Sequence, residues 1–405
     1  MPSTTPPESN GAQATQDAPS QISRTNILLL GLVSFINDTS SKIILPVLPL
    51  FIKDLGGGGL AIGIISGISD SIASLFTLFA GYWSDRVGNR KTFVFSGYVI
   101  AAIAKLCFAF AYMWQHVLLL RTIERLGKGI RSAPRDALLA SSTHQKIRGR
   151  GFGVHRAMDS AGAVFGTLIA FVLFWYLGMS FSHIFIIAGV TGFAALIPLF
   201  FVKESDRPVR QRHYRFSLKG LSLPLKNFIT VAFLFSLANF SYMFFVLHSQ
   251  GAFEGKLAVG IPILLYALFN LVYTVLAIPA GILSDRIGRK NVLLAGYGTY
   301  ILVCLGFMIA NSLLMYLLLF VLYGLNYALV NANERAFVSD LAHESARGVA
   351  LGTYHMATSI AALPAGLIAG LLWDLNPIYT FAFGALLAVA AVIVLLAGIR
   401  SENAS

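Results

Sequence analysis

Seven charged side chains crowd one stretch of the chain whose other residues are largely apolar. They are Arg121, Glu124, Arg125, Lys128, Arg131, Arg135 and Asp136. At about 100° of rotation per helical residue, Glu124 and four of the cations share one narrow face, with Arg125 at its edge. A charge that faces lipid costs about 2.5–3.5 kcal/mol, so this face must line a water-filled cavity or pack against acids on other helices.

Charged residues in neighbouring apolar stretches are candidate partners for this face. They are Asp38, Lys42, Asp70, His155, Arg156 and Asp159, and with them the first, second, fourth and fifth apolar stretches hold seven cations and five acids. A surplus of fixed positive charge in a cavity of low dielectric constant favours an anion, and guanidinium groups suit carboxylate or phosphate. We expect a small anion to be held by Arg125, Lys128 and Arg131. The alternative is that these cations form internal salt bridges that hold a gate.

Two further groups of residues complete the predicted site. Arg135 and Asp136 lie near the end of their helix and are assigned to a gate rather than to the substrate. In the carboxy-terminal half the polar groups of the apolar stretches are mainly uncharged. Those predicted to orient a substrate are Asn239, Tyr242, Asn326 and Tyr327.

Coupling to protons requires a side chain whose protonation can change. Asp38, Glu124 and His155 are the candidates inside the apolar stretches, and Asp38 is the first choice. The alternative for Asp38 is a permanent ion pair with Lys42, which lies one helical turn away.

The apolar stretches themselves are long enough to position these groups inside a membrane. The chain has 405 residues, of which 56% are hydrophobic and 12% charged, and a soluble protein of this composition would expose large apolar patches. Blocks of about 20 apolar residues can each cross a ~30 Å hydrocarbon layer. The predicted spans are 26–50, 60–83, 92–114, 117–139, 152–177, 180–202, 227–248, 257–283, 292–311, 314–338, 349–372 and 376–398.

The loop charges predict the orientation of the chain. Seventeen cations lie in loops that follow even-numbered spans, whereas the other loops hold only Lys53 and Lys256. By the positive-inside rule, the even-numbered loops and both termini are expected to be cytoplasmic. The net charge of +12 is then explained by the loop cations that orient the protein in the membrane, so no nucleic-acid partner is expected. Residues 1–25 and 399–405 are predicted to be cytoplasmic tails, the first of them disordered, and 203–226 a cytoplasmic linker.

An internal repeat divides the spans into two halves, 26–202 and 227–398. The loop Gly81–Lys91 closes the second span, and Gly281–Lys290 closes the eighth, 200 positions later, with Gly, Ser, Asp, Arg and Gly in the same register.

These paired loops resemble the signature of the major facilitator superfamily, and the resemblance extends over essentially residues 26–400. It implies an all-α membrane fold of about twelve helices in two pseudo-symmetric halves. It also implies that the first, fourth, seventh and tenth spans line a central cavity and that the loop residues Asp85, Arg86, Asp285 and Arg286 act in gating.

A second family pattern, typical of efflux members, is only partly present. Gly153, Gly162 and Gly166 have its spacing in the fifth span, but Thr167 stands where proline is expected. Small residues at this spacing also serve ordinary helix packing.

The sequence therefore predicts a secondary transporter, a symporter or antiporter, of a small anionic solute. It would work by alternating access, with proton coupling, as a monomer in a prokaryotic cytoplasmic (inner) membrane. Proton-driven efflux of drugs or metabolites is the alternative, and a non-transporting membrane sensor or scaffold is a remote one. No cofactor and no metal site is expected. Enzymatic activity is not expected either, because no nucleophile–base pair or phosphate-binding loop appears outside the spans.

Overall fold

The computed structural model describes residues 21–142, 148–204, 221–343 and 346–398. Within these residues the helices form twelve spans. Those of the amino-terminal half are Gln21–Ile44 with Leu48–Asp54, Gly59–Val87, Arg90–Cys107 with Phe108–Phe110, Trp114–Ser141, Arg148–Trp175, and Phe181–Ala194 with Leu196–Phe200. Those of the carboxy-terminal half are Leu223–Ala238 with Tyr242–Gln250, Leu257–Ile287, Arg289–Phe307, Leu313–Leu341, Arg347–Leu375 and Pro377–Gly398.

Eleven of these spans in the described part of the chain are long and apolar enough to cross a membrane. The fourth, Trp114–Ser141, is as long as its neighbours, with 28 residues, but carries the seven charges described above. At about 1.5 Å per residue it reaches across a bilayer. Its charge is tolerable because it packs mainly between the second and third spans rather than against lipid.

Two spans are broken in the middle, and tyrosine hydroxyls bind the carbonyl groups at the breaks. The first span breaks at residues 45–47, where Pro46 removes a backbone donor, and the Leu45 carbonyl accepts from Tyr242 Oη at 3.0 Å. The seventh breaks after Ala238, whose carbonyl accepts from Tyr300 Oη at 2.7 Å. Irregular backbone survives at membrane depth only where neighbouring side chains satisfy it in this way.

The fifth-span glycines allow the first span to approach closely. A Cβ on Gly162 would lie 2.4 Å from the Phe35 carbonyl oxygen, and one on Gly166 would lie 2.3 Å from that of Thr39. At Gly153 a Cβ would meet nothing within 4 Å. Two of the three glycines in the efflux-like pattern are therefore explained by helix packing.

A second glycine seam joins the two halves, between the second and eleventh spans. A Cβ on Gly63 would lie 2.0 Å from the Gly366 carbonyl oxygen. Beside this contact, the Asp374 carboxylate accepts hydrogen bonds from the backbone N–H groups of Gly59, at 2.6 Å, and Leu60, at 2.8 Å. Asp374 thus caps a helix that belongs to the opposite half, where a carboxylate is favoured by the exposed N–H groups.

Contacts between the halves are concentrated toward one end of the molecule. We call this end, where the loops after odd-numbered spans lie, the odd-loop face, and the opposite end the even-loop face. Lys53 bonds to Gln250 there at 3.2 Å, and the Lys256 ammonium group binds the Trp175 carbonyl. Every cross-half hydrogen bond between residues in the ranges given above lies at this face or near mid-membrane. The odd-loop face is therefore closed.

The glycine seam predicts how the closed face can be opened. Replacing Gly63 by Val should force the halves apart at the odd-loop face, because the clash is with backbone and cannot be relieved by a rotamer change. Nitroxide labels at Tyr112 and Leu313, both exposed at this face, should move apart in double electron–electron resonance measurements. Gly298→Val is the matched control, because a Cβ there meets nothing within 4 Å. Unchanged distances in Gly63→Val would contradict the seam's role.

Candidate functional site

The charges of the fourth span are divided among several environments, and the first is a buried ion pair. Arg121 Nη1 bonds to Glu124 Oε2 one turn along the same helix, and the two side chains are 3% and 6% exposed. The pair neutralises both charges where neither can reach water. Glu124, one of the predicted proton-coupling residues, is thus placed as the partner of a fixed cation.

Arg125 lies at a wetter position on the same helix. Its guanidinium group is 3.8 Å from the Asp70 carboxylate of the second span, whose side chain is 59% exposed. Arg125 Nε has no hydrogen-bond partner among the residues described. Arg125 is therefore held beside an exposed carboxylate, and its unpartnered Nε is buried.

Lys128 is the exposed cation of this helix. No side-chain hydrogen bond or ion pair to its ammonium group occurs within the described ranges, and its electrostatic neighbours include Asp38, Asp70 and Arg125. An ammonium group with three donors and no fixed acceptor can bind an anion without first breaking a salt bridge.

Arg131 is placed differently from Lys128. It is 5% exposed, and its guanidinium carbon lies 4.4 Å from the centre of the Tyr98 ring in the third span. One terminal nitrogen, Nη1, has no partner in the described structure. A cation over an aromatic face inside the protein is a packing contact that binds two helices. The structure therefore brings Arg125 and Lys128 to the central space and turns Arg131 toward the third span.

Lys105, in the third span, donates hydrogen bonds to the first span. It is fully buried, and its ammonium group donates to Asn37 Oδ1 at 3.2 Å and Ser40 Oγ at 3.0 Å. Asn37 Nδ2 in turn donates to Asp38 Oδ1 at 3.2 Å. This chain of contacts holds Asp38 toward the central space.

Asp38 is not paired with Lys42. Lys42 instead reaches across to the eighth span, where it donates to Tyr266 Oη at 3.1 Å and Asn270 Oδ1 at 3.0 Å. Asp38 lies one helical turn from Ser34, whose hydroxyl group donates to Asp159 Oδ1 of the fifth span at 2.8 Å, so both acids lie in the same region between the first and fifth spans.

Asp159, in the fifth span, bonds to the first span and to its own helix. It accepts from Ser34 Oγ at 2.8 Å and lies 3.5 Å from Arg156. Arg156 also donates to Tyr273 Oη of the opposite half at 2.5 Å. His155 is 6% exposed, and its Nε2 has no partner in the described part of the protein.

The predicted residues of the carboxy-terminal half are also divided. Tyr242 and Tyr327 are half-buried beside the central space, whereas Asn326 is buried and donates to the Gly296 carbonyl of the ninth span at 2.9 Å. Asn239 stands at the break in the seventh span, with its buried Oδ1 unpartnered among the residues described. Asn326 thus packs helices, and the two tyrosines face the site.

The predicted gate residues lie toward the even-loop face. Arg135 donates to its neighbour Asp136 at 2.9 Å, and Asp285 pairs with Arg289 at 3.0 Å. Arg86 and Arg286 are exposed. The side chain of Asp85 lies outside the described residues.

Three contacts between the halves could not be predicted from the sequence. The sequence places Asp374 in a turn before Asn376–Pro377, although its carboxylate caps the second span. Tyr266 and Tyr273 look like ordinary apolar-span aromatics, although their hydroxyl groups bind Lys42 and Arg156 across the halves. No local pattern predicts these contacts, because each joins residues more than 100 positions apart.

A separate cavity of about 480 Å³ opens at the odd-loop face and is lined by residues that include Lys53, His248, Asn311 and Trp373. It contains none of the predicted site residues, and its imidazole is already bonded to Tyr316 Oη at 3.0 Å. The central space between the halves is therefore the better candidate site.

Comparison with known proteins identifies the family. The sequence profile of the Major Facilitator Superfamily matches residues 30–269 and 255–404, which together cover both halves. The chain belongs to the Major Facilitator Superfamily. The predicted all-α fold of two six-helix halves is confirmed, and the protein is a multi-pass membrane transporter rather than an enzyme.

Individual relatives agree with this assignment. The uncharacterized MFS-type transporter MJ1317 of Methanocaldococcus jannaschii is 44% identical over 92% of this chain and 94% of its own. The multidrug resistance protein MdtG of Salmonella arizonae is 28% identical over 51% of this chain and 53% of its own. The crystal structure of the nucleoside transporter NupG superposes with a TM-score of 0.74 at 16% identity, covering 92% of this chain and 98% of that one. At this identity the last comparison shows the fold alone.

The buried pair Arg121–Glu124 yields a test of whether Glu124 is structural. Glu124→Leu should destabilise the protein by about 3–5 kcal/mol, because it leaves a buried guanidinium group unpaired. Adding Arg121→Met should restore most of the loss in thermal melting of the detergent-purified protein. Asp136→Leu, in an exposed pair, should cost less than about 1 kcal/mol. A double variant no more stable than Glu124→Leu would refute the pairing argument.

Proposed function

We propose that this protein is a secondary active transporter of a small organic anion, coupled to protons, that works by alternating access. The observation that carries the proposal is the exposed, unpaired ammonium group of Lys128 beside the Arg125 guanidinium group. Around it the other ions of the described amino-terminal spans are largely paired: Arg121 with Glu124, Arg135 with Asp136, and Arg156 with Asp159. Arg125 is held by Asp70 at 3.8 Å, so the exposed ammonium group of Lys128 is the cation of this group that a bound anion could neutralise.

Alternating access follows from the way the halves meet. The loop charges favour a cytoplasmic even-loop face. With that orientation the closed glycine seam blocks the outer entrance, and the site is reached from the cytoplasm. To bind solute from outside, the halves would break the Gly63–Gly366 contact and the Asp374 cap and form new contacts at the even-loop face. The paired loops carrying Asp85 and Asp285 are the proposed contacts of that second state.

Coupling is assigned to Asp38, in the region that also holds Asp159 of the fifth span. An anion bound at Lys128 would bring another negative charge toward these two acids. Protonation of Asp38 offsets that charge, and each ligand therefore strengthens binding of the other. Such mutual stabilisation favours symport of anion and proton. Glu124 and His155 remain as the other proton candidates, with Glu124 already held by Arg121.

The rival proposal is proton-driven efflux of drugs or metabolites. It is favoured by the similarity to a multidrug resistance protein, although that similarity covers about half of the chain. In that case the Lys128 region would serve as a gate, and neutral or cationic lipophilic compounds would bind instead of anions.

Lys128 provides the direct test of the anion site. A panel of small carboxylates and phosphates should contain compounds that raise the melting temperature of the purified protein. A ligand at 100 times its dissociation constant contributes about 2.7 kcal/mol. Lys128→Met should remove this stabilisation while leaving the melting temperature without ligand nearly unchanged. Lys226→Met, at an exposed position at the start of the seventh span, should respond like wild type. Stabilisation by lipophilic cations alone would favour the efflux proposal.

Asp38 provides the test of coupling. Asp38→Asn should still exchange anion across the membrane of proteoliposomes, because the binding cations are intact. Net uptake should no longer respond to an imposed pH gradient, since the amide cannot take up a proton. Asp54→Asn is the control, because Asp54 is an exposed carboxylate at the odd-loop face. Uptake by Asp38→Asn that remained driven by the gradient would exclude Asp38 as the coupling group.

A further inference from the structure

The carboxy-terminal side of the central space is aromatic, in contrast to the charged amino-terminal side. Five rings from the seventh, eighth and tenth spans form one connected group, which we call the aromatic wall: Tyr242, Tyr266, Phe269, Tyr273 and Tyr327. Neighbouring ring centres are 4.9 Å apart for Tyr242–Tyr266, 5.7 Å for Tyr266–Phe269, 5.1 Å for Phe269–Tyr327 and 5.8 Å for Tyr327–Tyr273.

The wall has a buried part and an accessible part. Tyr266 and Phe269 are 3% and 5% exposed and belong to the core. Tyr242, Tyr273 and Tyr327 are half-buried, so parts of their rings remain open to the central space. The three half-buried rings of the wall therefore offer aromatic surface to a solute, whereas the two buried rings pack in the core.

Hydrogen bonds fix most of the wall in place. Tyr242 Oη donates to the Leu45 carbonyl, Tyr266 Oη accepts from Lys42, and Tyr273 Oη accepts from Arg156. Tyr327 differs, because its hydroxyl group has no hydrogen-bond partner among the described residues. Its ring is held edge-on by Phe269 and Tyr273, so a rigid ring with an uncommitted hydroxyl borders the site.

The wall and the cations act on the same volume. Lys42 and Arg156 of the amino-terminal half donate to Tyr266 Oη at 3.1 Å and to Tyr273 Oη at 2.5 Å, so the wall and the charged spans border the same space. A solute bound by Arg125 and Lys128 would therefore have the rest of its body against Tyr327 and Tyr242. Planar rings bind such surfaces by offset stacking or edge-to-face contact, which saturated rings cannot match.

We infer that the substrate is a planar aromatic acid, whose acidic group binds at Lys128 and Arg125 while its ring packs on the aromatic wall at Tyr327. This inference rests on the proposed anion transport and narrows it. Each half then supplies one part of the recognition, charge from the amino-terminal half and ring contact from the carboxy-terminal half. A solute that engages both halves can also link their relative movement to its own binding.

The test compares three probes of similar size in binding to the purified full-length protein by thermal shift: 2-naphthoate, decahydro-2-naphthoate and the neutral 2-naphthamide. Wild type should bind 2-naphthoate about fivefold more tightly than the saturated acid, in line with an aromatic contact. Tyr327→Leu should abolish this preference but still bind both acids. Tyr327→Phe, which keeps the ring, should retain the preference and shows whether a folded protein survives substitution at this position.

The possible outcomes separate the inference from the proposed function. Equal binding of the two acids by wild type would overturn the aromatic inference and leave anion transport standing. A preference for 2-naphthoate that persists in a folded Tyr327→Leu variant would overturn the assignment to this wall. Binding of 2-naphthamide with no binding of either acid would overturn the proposed anion transport as well. Failure of all three to bind would overturn the inference, because it requires the planar acid to fit.

Discussion

The structure depends on one constraint, that an ion inside a bilayer needs either a counter-ion or water. The fourth span carries seven charges and could not exist as an isolated membrane helix. Its buried charges are neutralised by Glu124 or stacked on Tyr98, and Lys128 and Arg125 are turned toward the gap between the halves. The gap therefore supplies the water that the charges of this helix need inside the bilayer, and it also leaves room for a solute. A transporter needs such a water-filled space, and the proposed preference for anions rests on Lys128, one of the charges that require it.

The opposite chemistry closes the odd-loop face. There the second and eleventh spans meet through glycines whose backbones almost touch. Such a contact is held mainly by dispersion and can be separated without breaking buried ion pairs. Its polar supplement, the Asp374 carboxylate on the N–H groups of Gly59 and Leu60, can exchange for water when the face opens. A glycine seam with no buried ion pair, next to a charged site, suits the alternation between two closed ends that we propose.

The fold was predictable from the sequence, because apolar segment length and the repeat of the Gly81–Lys91 loop at Gly281 are local signals. The polar face of the fourth span was predictable from helical periodicity as well. The roles of single residues on that face were not, since a long side chain at the edge of a stripe can reach either neighbour. Arg131 shares the face of Lys128 yet stacks on Tyr98, and Asn326 turns to the ninth span. Asp374 and Tyr273 act on partners that lie far away in sequence, so only the assembled structure could show them.

We propose that the unpaired ammonium group of Lys128, between the halves, makes this protein a proton-coupled carrier of anions. The most direct measurement is gradient-driven uptake by proteoliposomes, acidic outside, of labelled small carboxylates and phosphates beside the lipophilic cation tetraphenylphosphonium. Protein-free liposomes correct for passive entry of weak acids. At least one anion should accumulate, and a proton ionophore should abolish the accumulation. Gradient-driven movement of tetraphenylphosphonium, with no anion moved above the protein-free level, would refute proton-coupled anion transport.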